Sequence, residues 1–210
     1  RIRDLMQGVS DYDTPLTELG IEQAEQTGTA SVEELPKPDI IYYSPYLRTR
    51  QTMEGVLSKR PDLAEVDRWE NEDLREQDHG MATIFSDWRI FYALHPEEAL
   101  LYNQDPYSYA YPRGESTFQV RSRASEFLGR LYRRHEGEHI WAFTHHLTIL
   151  AIRAELEHWS RNQYVDANKT QKPINCGVSV YENDPTGSRT GHDILALHDY
   201  NRRLYECAME

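Results

Sequence analysis

The chain has 210 residues, 39% of them hydrophobic, enough to bury one substantial core, so a single domain over residues 1–210 is expected. Its formal net charge of −12 argues against a nucleic acid or an acidic membrane as partner, because both require clustered Lys and Arg. The two cysteines, Cys176 and Cys207, form neither a disulfide framework nor a zinc pattern, and no apolar run approaches the ~20 residues of a bilayer span, so a reduced cytoplasmic setting is expected.

Residues 1–15 are polar and turn-rich and read as a loop. Thr17 is placed to cap a helix, with Glu18 in its first turn. Gly20, Ala24 and Gly28 fall four apart, a stripe of small residues suited to close packing against a sheet. Pro36 and Pro38 end that helix. Asp39-Ile-Ile-Tyr-Tyr43 reads as a short buried strand. Ser44-Pro45 then reads as an N-cap followed by proline at the first helical position, opening a helix that carries Arg48.

Residues 58–80 show no clean period and predict a connection with short elements. Residues 81–111, rich in tyrosine, predict a helical insertion that caps the site and ends in the loop Tyr107-Ser-Tyr-Ala-Tyr111. Ser116-x-x-Gln119 is a capping box, and its helix is expected to bury Phe118, Ala124, Phe127, Leu128 and Leu131. His139-Ile-Trp-Ala-Phe143 predicts a strand that delivers Thr144-His145-His146 to its tip, with a helix over Leu147–Leu156. A polar stretch runs from 157 through Pro173, before strands at Gly177–Glu182 and Asp193–His198. Strands alternating with helices indicate an α/β fold: a three-layer α/β/α sandwich with a mostly parallel central sheet.

Ligands of such sheets bind beyond the carboxyl ends of the strands. His145 and Arg48 both follow such ends, which suggests an anionic, phosphorylated ligand. Arg48 is either a phosphate-binding guanidinium near a helix N-terminus or one more surface arginine, and spacing leaves both open. His145 is either a general acid–base group or a hydrogen-bonded core histidine. His146, its neighbour, points elsewhere and is at most a pocket wall. Glu76, in Leu74-Arg-Glu-Gln-Asp-His-Gly80, is a carboxyl whose pKa a nearby phosphate would raise. No other ligand-type residue stands at metal spacing on the element of His145, so no metal is expected.

The ordered segments resemble the histidine phosphatase superfamily, the clan of cofactor-dependent phosphoglycerate mutases and related phosphatases. Pro15-Leu-Thr-Glu-Leu-Gly-Ile-Glu-Gln-Ala24 resembles its first helix. Ser44-Pro-Tyr-Leu-Arg-Thr-Arg-Gln-Thr52 resembles the segment with the second phosphate-binding arginine, here Arg48. Leu74–Gly80 resembles the proton-donor segment, here Glu76. Pro112-Arg-Gly-Glu-Ser116 with Arg123 resembles the Gly-Glu-Ser helix start, and Phe143-Thr-His-His146 the second catalytic histidine, here His145. Gln104–Ser116 is similar to the module that hydrolyses fructose 2,6-bisphosphate, with Ser108, Ala110 and Leu150 where that module has basic residues.

The resemblance implies a phosphomonoester hydrolase acting through a phosphohistidine on a small phosphorylated metabolite, without cofactor. Arg48, Glu76 and His145 would be catalytic, and Ser44, Arg113, His146 and Tyr107 would bind substrate. A homodimer is left open. The family's first strand ends in Arg-His-Gly, whose histidine is the nucleophile. No Arg-His-Gly occurs in these 210 residues, so the motif is expected in front of Arg1. The alternatives are mutase-type phosphoryl transfer, or a phosphate-binding or interaction domain without a nucleophile.

Overall fold

The computed structural model describes residue 8, residues 10–184 and residues 194–206. Cys207, Asp193 and most of the first loop fall outside them. In chain order the elements are α1 (Glu18–Glu34), β1 (Ile40–Tyr43), α2 (Leu47–Ser58), β2 (Asp67–Glu70), α3 (Trp88–Leu94), α4 (Pro96–Gln104), α5 (Thr117–Arg134), β3 (Ile140–Phe143), α6 (His146–Leu156), α7 (Arg161–Thr170), β4 (Val178–Asp184) and β5 (Ile194–Arg202).

A three-stranded sheet, β2-β1-β3, is parallel throughout, and β4 pairs with β5 as an antiparallel hairpin. Ile41 stands in register with Trp141, and Tyr42 with Ala142. Strand side chains alternate between faces, so these two rows look in opposite directions. On one face, the Arg60 guanidinium lies over the Trp141 ring and bonds Ser31 of α1. On the other, the Tyr42 ring meets Phe127 of α5 edge-on. Helices thus pack on both faces of the sheet around β1 and β3, giving three layers.

Thr17 caps α1 as expected, its side chain accepting from Gly20 N. The small-residue stripe packs on α2, where a sheet was expected. A Cβ on Gly28 would lie 2.3 Å from the Val56 carbonyl oxygen, and one on Gly55 would lie 2.8 Å from Ala24 Cβ. Ser116 and Gln119 form the expected capping box of α5. Phe118, expected to be buried, is 57% exposed, because α5 turns Thr117, Val120, Arg123, Ala124, Phe127 and Leu128 inward.

The polar stretch after residue 157 contains the helix α7. A second capping box, Ser160 with Gln163, starts it, and buried Tyr164 and Ala167 hold it down. The edge strand β2, Asp-Arg-Trp-Glu, is exposed along its whole length. The Tyr-rich insertion is helical, with α3 and α4 inside it.

Candidate active site

All three parallel strands end at the same edge of the sheet. There Ser44 N donates to Phe143 O at 3.0 Å and Asn71 N to Tyr43 O at 2.9 Å, so the segments after β1, β2 and β3 leave side by side. These segments carry Ser44 and Arg48, Glu76, and His145 respectively. Two threonines tie the last two together: Thr144 Oγ1 donates to Leu74 O at 2.7 Å and Thr148 Oγ1 to Arg75 O at 2.6 Å.

His145 is buried, yet its ring is held by polar groups. Nε2 lies 2.7 Å from Ser44 Oγ and 3.0 Å from Thr49 Oγ1, and the Tyr46 ring meets the imidazole at 4.9 Å between centroids. Burial, with the guanidiniums of Arg48 and Arg123 adding to it, pushes its pKa down to about 3. The imidazole is therefore neutral in this state and acts as a hydrogen-bonding group, not as a charge. Ser44 was expected to cap α2. The N-cap is Tyr46 instead, and the fully buried Ser44 hydroxyl is spent on His145.

Glu76 sits over the start of α6. Leu147 N donates to its two carboxyl oxygens at 3.2 and 3.3 Å, and Gln77 N to Oε1 at 2.9 Å. Burial raises the Glu76 pKa, and the two backbone donors and the charges of Arg48 and Arg123 only partly oppose it. A carboxyl of this kind holds its proton above the usual range, as a proton donor must.

Arg48, the second residue of α2, has its guanidinium 4.8 Å from the Tyr46 ring centroid and pairs with Asp11. The helix N-terminus behind it is not free, because Leu47 N already donates to Tyr12 O at 2.9 Å. Its charge acts on both Glu76 and His145, which puts the three expected catalytic groups in one electrostatic neighbourhood.

A frame holds Glu76 in place. Glu115 accepts from Arg75, from Arg123 Nε and Nη2 at 3.3 Å, and from Asp78 N at 3.1 Å. Arg123, itself buried, donates to Asp73 O at 2.6 Å and to Glu76 O at 3.1 Å. Gly80 has φ +49, and a Cβ on Gly114 would lie 2.3 Å from Asp78 O, so these two glycines let segments 76–81 and 112–115 touch backbone to backbone. Glu115 stood in the Gly-Glu-Ser segment without a role, and Thr49, Tyr46 and Asp11 were not singled out in the sequence, since only tertiary contacts give them one.

The other three expected substrate-binding residues differ in their surroundings. Arg113 is exposed with φ 63, on the turn beside Gly114. His146 turns toward Asn168 and Lys172, and its buried Nε2 has no hydrogen-bond partner. Tyr107 packs in the core with Val120, Ala124, Leu150 and Tyr164, and the Arg161 guanidinium lies over its ring. Among the described residues no group of three or more His, Cys, Asp or Glu side chains could hold a metal ion, and no helix is long and apolar enough to cross a membrane.

The family model of the histidine phosphatase superfamily, branch 1, matches residues 3–190. The chain belongs to that superfamily. Its structure is similar to Bacillus stearothermophilus YhfR, with a TM-score of 0.73 and 24% identity over 97% of this chain and 92% of that one. It is also similar to the alpha-ribazole phosphatase of Shigella flexneri (TM-score 0.73, 20% identity, 98% and 93% covered). A third is the mycobacterial glucosyl-3-phosphoglycerate phosphatase in complex with inorganic phosphate (TM-score 0.73, 19% identity, 95% and 94% covered). No curated protein matches the chain. The parallel strands of this superfamily member bring a guanidinium, an imidazole and a carboxyl of raised pKa to one edge of the sheet.

Proposed function

We propose that this protein hydrolyses phosphomonoesters of small metabolites through a phosphohistidine intermediate. One observation carries most weight. Arg48, Glu76 and His145 come from three segments far apart in sequence, yet the parallel strands deliver them to one edge. Arg48 binds the phosphoryl oxygens, and His145 donates a hydrogen bond to one of them. A nucleophilic histidine attacks phosphorus as the ester P–O bond breaks, and Glu76 gives its proton to the leaving oxygen. The Glu76 carboxylate then takes a proton from water, which attacks the phosphohistidine and frees inorganic phosphate. That proton leaves Glu76 in its starting acid form, and the histidine is restored as the P–N bond breaks.

Hydrolysis is favoured over phosphoryl transfer between two substrate oxygens because the insertion at 81–111 is short for a mutase cap. No cofactor or metal is invoked, the partner is the small phosphorylated substrate, and the setting is the cytoplasm. The test is a polypeptide carrying an Arg-His-Gly segment ahead of Arg1, given p-nitrophenyl phosphate and quenched in alkali, in which phosphohistidine survives. Turnover with no base-stable phosphoenzyme would refute this mechanism.

A second reading keeps the anion site without the chemistry, since a guanidinium and a hydrogen-bonding imidazole can hold phosphate and transfer nothing. In that reading the domain binds phosphate ligands through Arg48 and His145 and transfers nothing. Phosphate binding by calorimetry, without turnover in the Arg-His-Gly polypeptide, would decide for it.

A further inference from the structure

Asp11 grips the fork of Arg48. Nη1 donates to Asp11 Oδ1 at 2.9 Å and to the Asp11 carbonyl at 2.7 Å, while Nη2 reaches Oδ2 at 3.4 Å. Paired N–H donors from one guanidinium onto one anion make the geometry in which arginine takes phosphate. The Asp11 carboxylate therefore stands where an oxyanion ligand of Arg48 would stand.

Arg48 is not alone in holding it there. Tyr12 O accepts from Leu47 N at 2.9 Å, and the Tyr12 ring lies 5.1 Å from that of Tyr46. Ser10 Oγ donates to Asp13 Oδ2 at 2.7 Å and Thr14 Oγ1 to Ser10 O at 2.9 Å, closing the turn that carries Asp11. Leu16 N donates to Gln51 Oε1 of α2 at 2.8 Å. The loop is docked on α2 by its own backbone, which gives the carboxylate a high effective concentration at the guanidinium. The two side chains are 23% and 33% exposed for Arg48 and Asp11, so the pair is partly desolvated.

We propose that Asp11 is an internal competitor for phosphate at Arg48 and sets the anion-affinity threshold of the site. The proposal rests on Arg48 being the phosphate-binding arginine. Competition of this kind weakens every ligand that needs Arg48 by the same factor. Weakly held anions then stay out at ordinary concentrations, while a phosphomonoester that also engages His145 enters. On entry the Asp11 carboxylate swings to solvent, and the Tyr12 contact with Leu47 keeps the loop in place.

The experiment is calorimetric titration of inorganic phosphate, and separately of sulfate, into the full chain and its variants. Asp11→Asn and Asp11→Ala should tighten both anions by roughly tenfold and by a common factor. Asp11→Glu, which keeps the charge, should gain much less, and the gain should vanish in an Arg48→Ala background. Unchanged or weaker binding in a folded Asp11→Asn protein would show that Asp11 only positions Arg48, and the proposal would fall. A gain that persists without Arg48, or equals that of Asp11→Glu, would overturn it as well. Phosphate affinity indifferent to Arg48→Ala would instead remove the phosphate-binding role of Arg48, a separate failure visible before Asp11 is touched.

Discussion

Ser44 Oγ lies 2.7 Å from Nε2 of His145, 101 residues away in sequence, and both residues are buried. The serine that should start a helix instead fixes the ring of the histidine at the neighbouring strand tip. With Thr49 on the same nitrogen at 3.0 Å, the imidazole has two hydroxyl partners and no carboxylate. Nothing there rewards a proton, and burial opposes one.

The pH dependence of stability follows. The folded-state pKa of His145, about 3, lies below the ordinary histidine value of ~6.5. Above ~6.5 neither state binds the proton. As pH falls below that, the unfolded chain takes a proton that the folded one refuses, and stability is lost by up to ~1.4 kcal/mol per pH unit until about pH 3. His145→Gln should flatten this acid limb in urea titrations between pH 6.5 and 4. Equal slopes for the two proteins would mean that His145 is charged in the fold.

Glu76 has the opposite sign. Its folded pKa is raised, so between the ordinary glutamate value of ~4.3 and the raised one the unfolded chain releases a proton that the fold retains, and stability falls as pH rises. Glu76→Gln should therefore be more stable than wild type at neutral pH, with the gap closing below about pH 4. In an active polypeptide the same change should lower turnover by roughly 10²–10⁴-fold, the usual worth of a general acid. A variant less stable at neutral pH, or one that keeps its rate, contradicts the assignment.

Much of the frame was legible because its signals are local. The apolar runs before Ser44 and Thr144, the Thr17 cap and the Ser116 capping box each depend on a few adjacent residues. Ser160-x-x-Gln163 carries the same signal, but its polar surroundings hid α7. The edge strand β2 was hidden too, since Asp67-Arg-Trp-Glu70 buries neither face and leaves no alternation to read. At the site, residue types and order pointed to Arg48, Glu76 and His145. The pairings of the supports were not legible: Glu115 and Arg123 stood in one matched segment without a partner assigned, and Glu115 with Arg75, or Asp11 with Arg48, meet only once the strands have aligned their tips.

Arg123 tests that frame. Its guanidinium is buried and bonds two backbone carbonyls, Asp73 O and Glu76 O, besides Glu115. Arg123→Met should destabilise the protein by about 3–5 kcal/mol, because Glu115 is left as a largely buried charge with one fewer partner. Adding Glu115→Gln should recover part of that loss, a coupling that a double-mutant cycle in denaturant would measure. Strictly additive effects would show the two residues to be independent.

The α1–α2 contact makes a simpler test. Gly28→Ala brings a Cβ to 2.3 Å from the Val56 carbonyl oxygen, and both partners are helix backbone that cannot step aside. Overpacking of this sort costs about 1–3 kcal/mol. Gly129→Ala, on α5, meets only the flexible end of Arg133 at 3.3 Å and should be neutral or slightly stabilising through helix propensity. Thermal unfolding of the two variants should separate them clearly; equal melting temperatures would mean the helices are further apart than described.

The last prediction concerns the nucleophile. In the proposed mechanism His145, held by Ser44 and Thr49, donates to a phosphate oxygen and does not attack phosphorus. Positioning and electrostatics from Arg48 and His145 cannot replace an in-line nucleophile. The 210-residue polypeptide should therefore bind phosphate yet hydrolyse p-nitrophenyl phosphate no faster than buffer. Among the described residues β3 pairs with β1 and β4 with β5. Joining an Arg-His-Gly segment ahead of Arg1 supplies an in-line nucleophile and should stabilise the protein and create turnover. Stabilisation without turnover would favour the phosphate-binding domain. Enzymatic turnover by the 210 residues alone, at an intact mass matching the sequence, would place the nucleophile among them and end the mechanism proposed above.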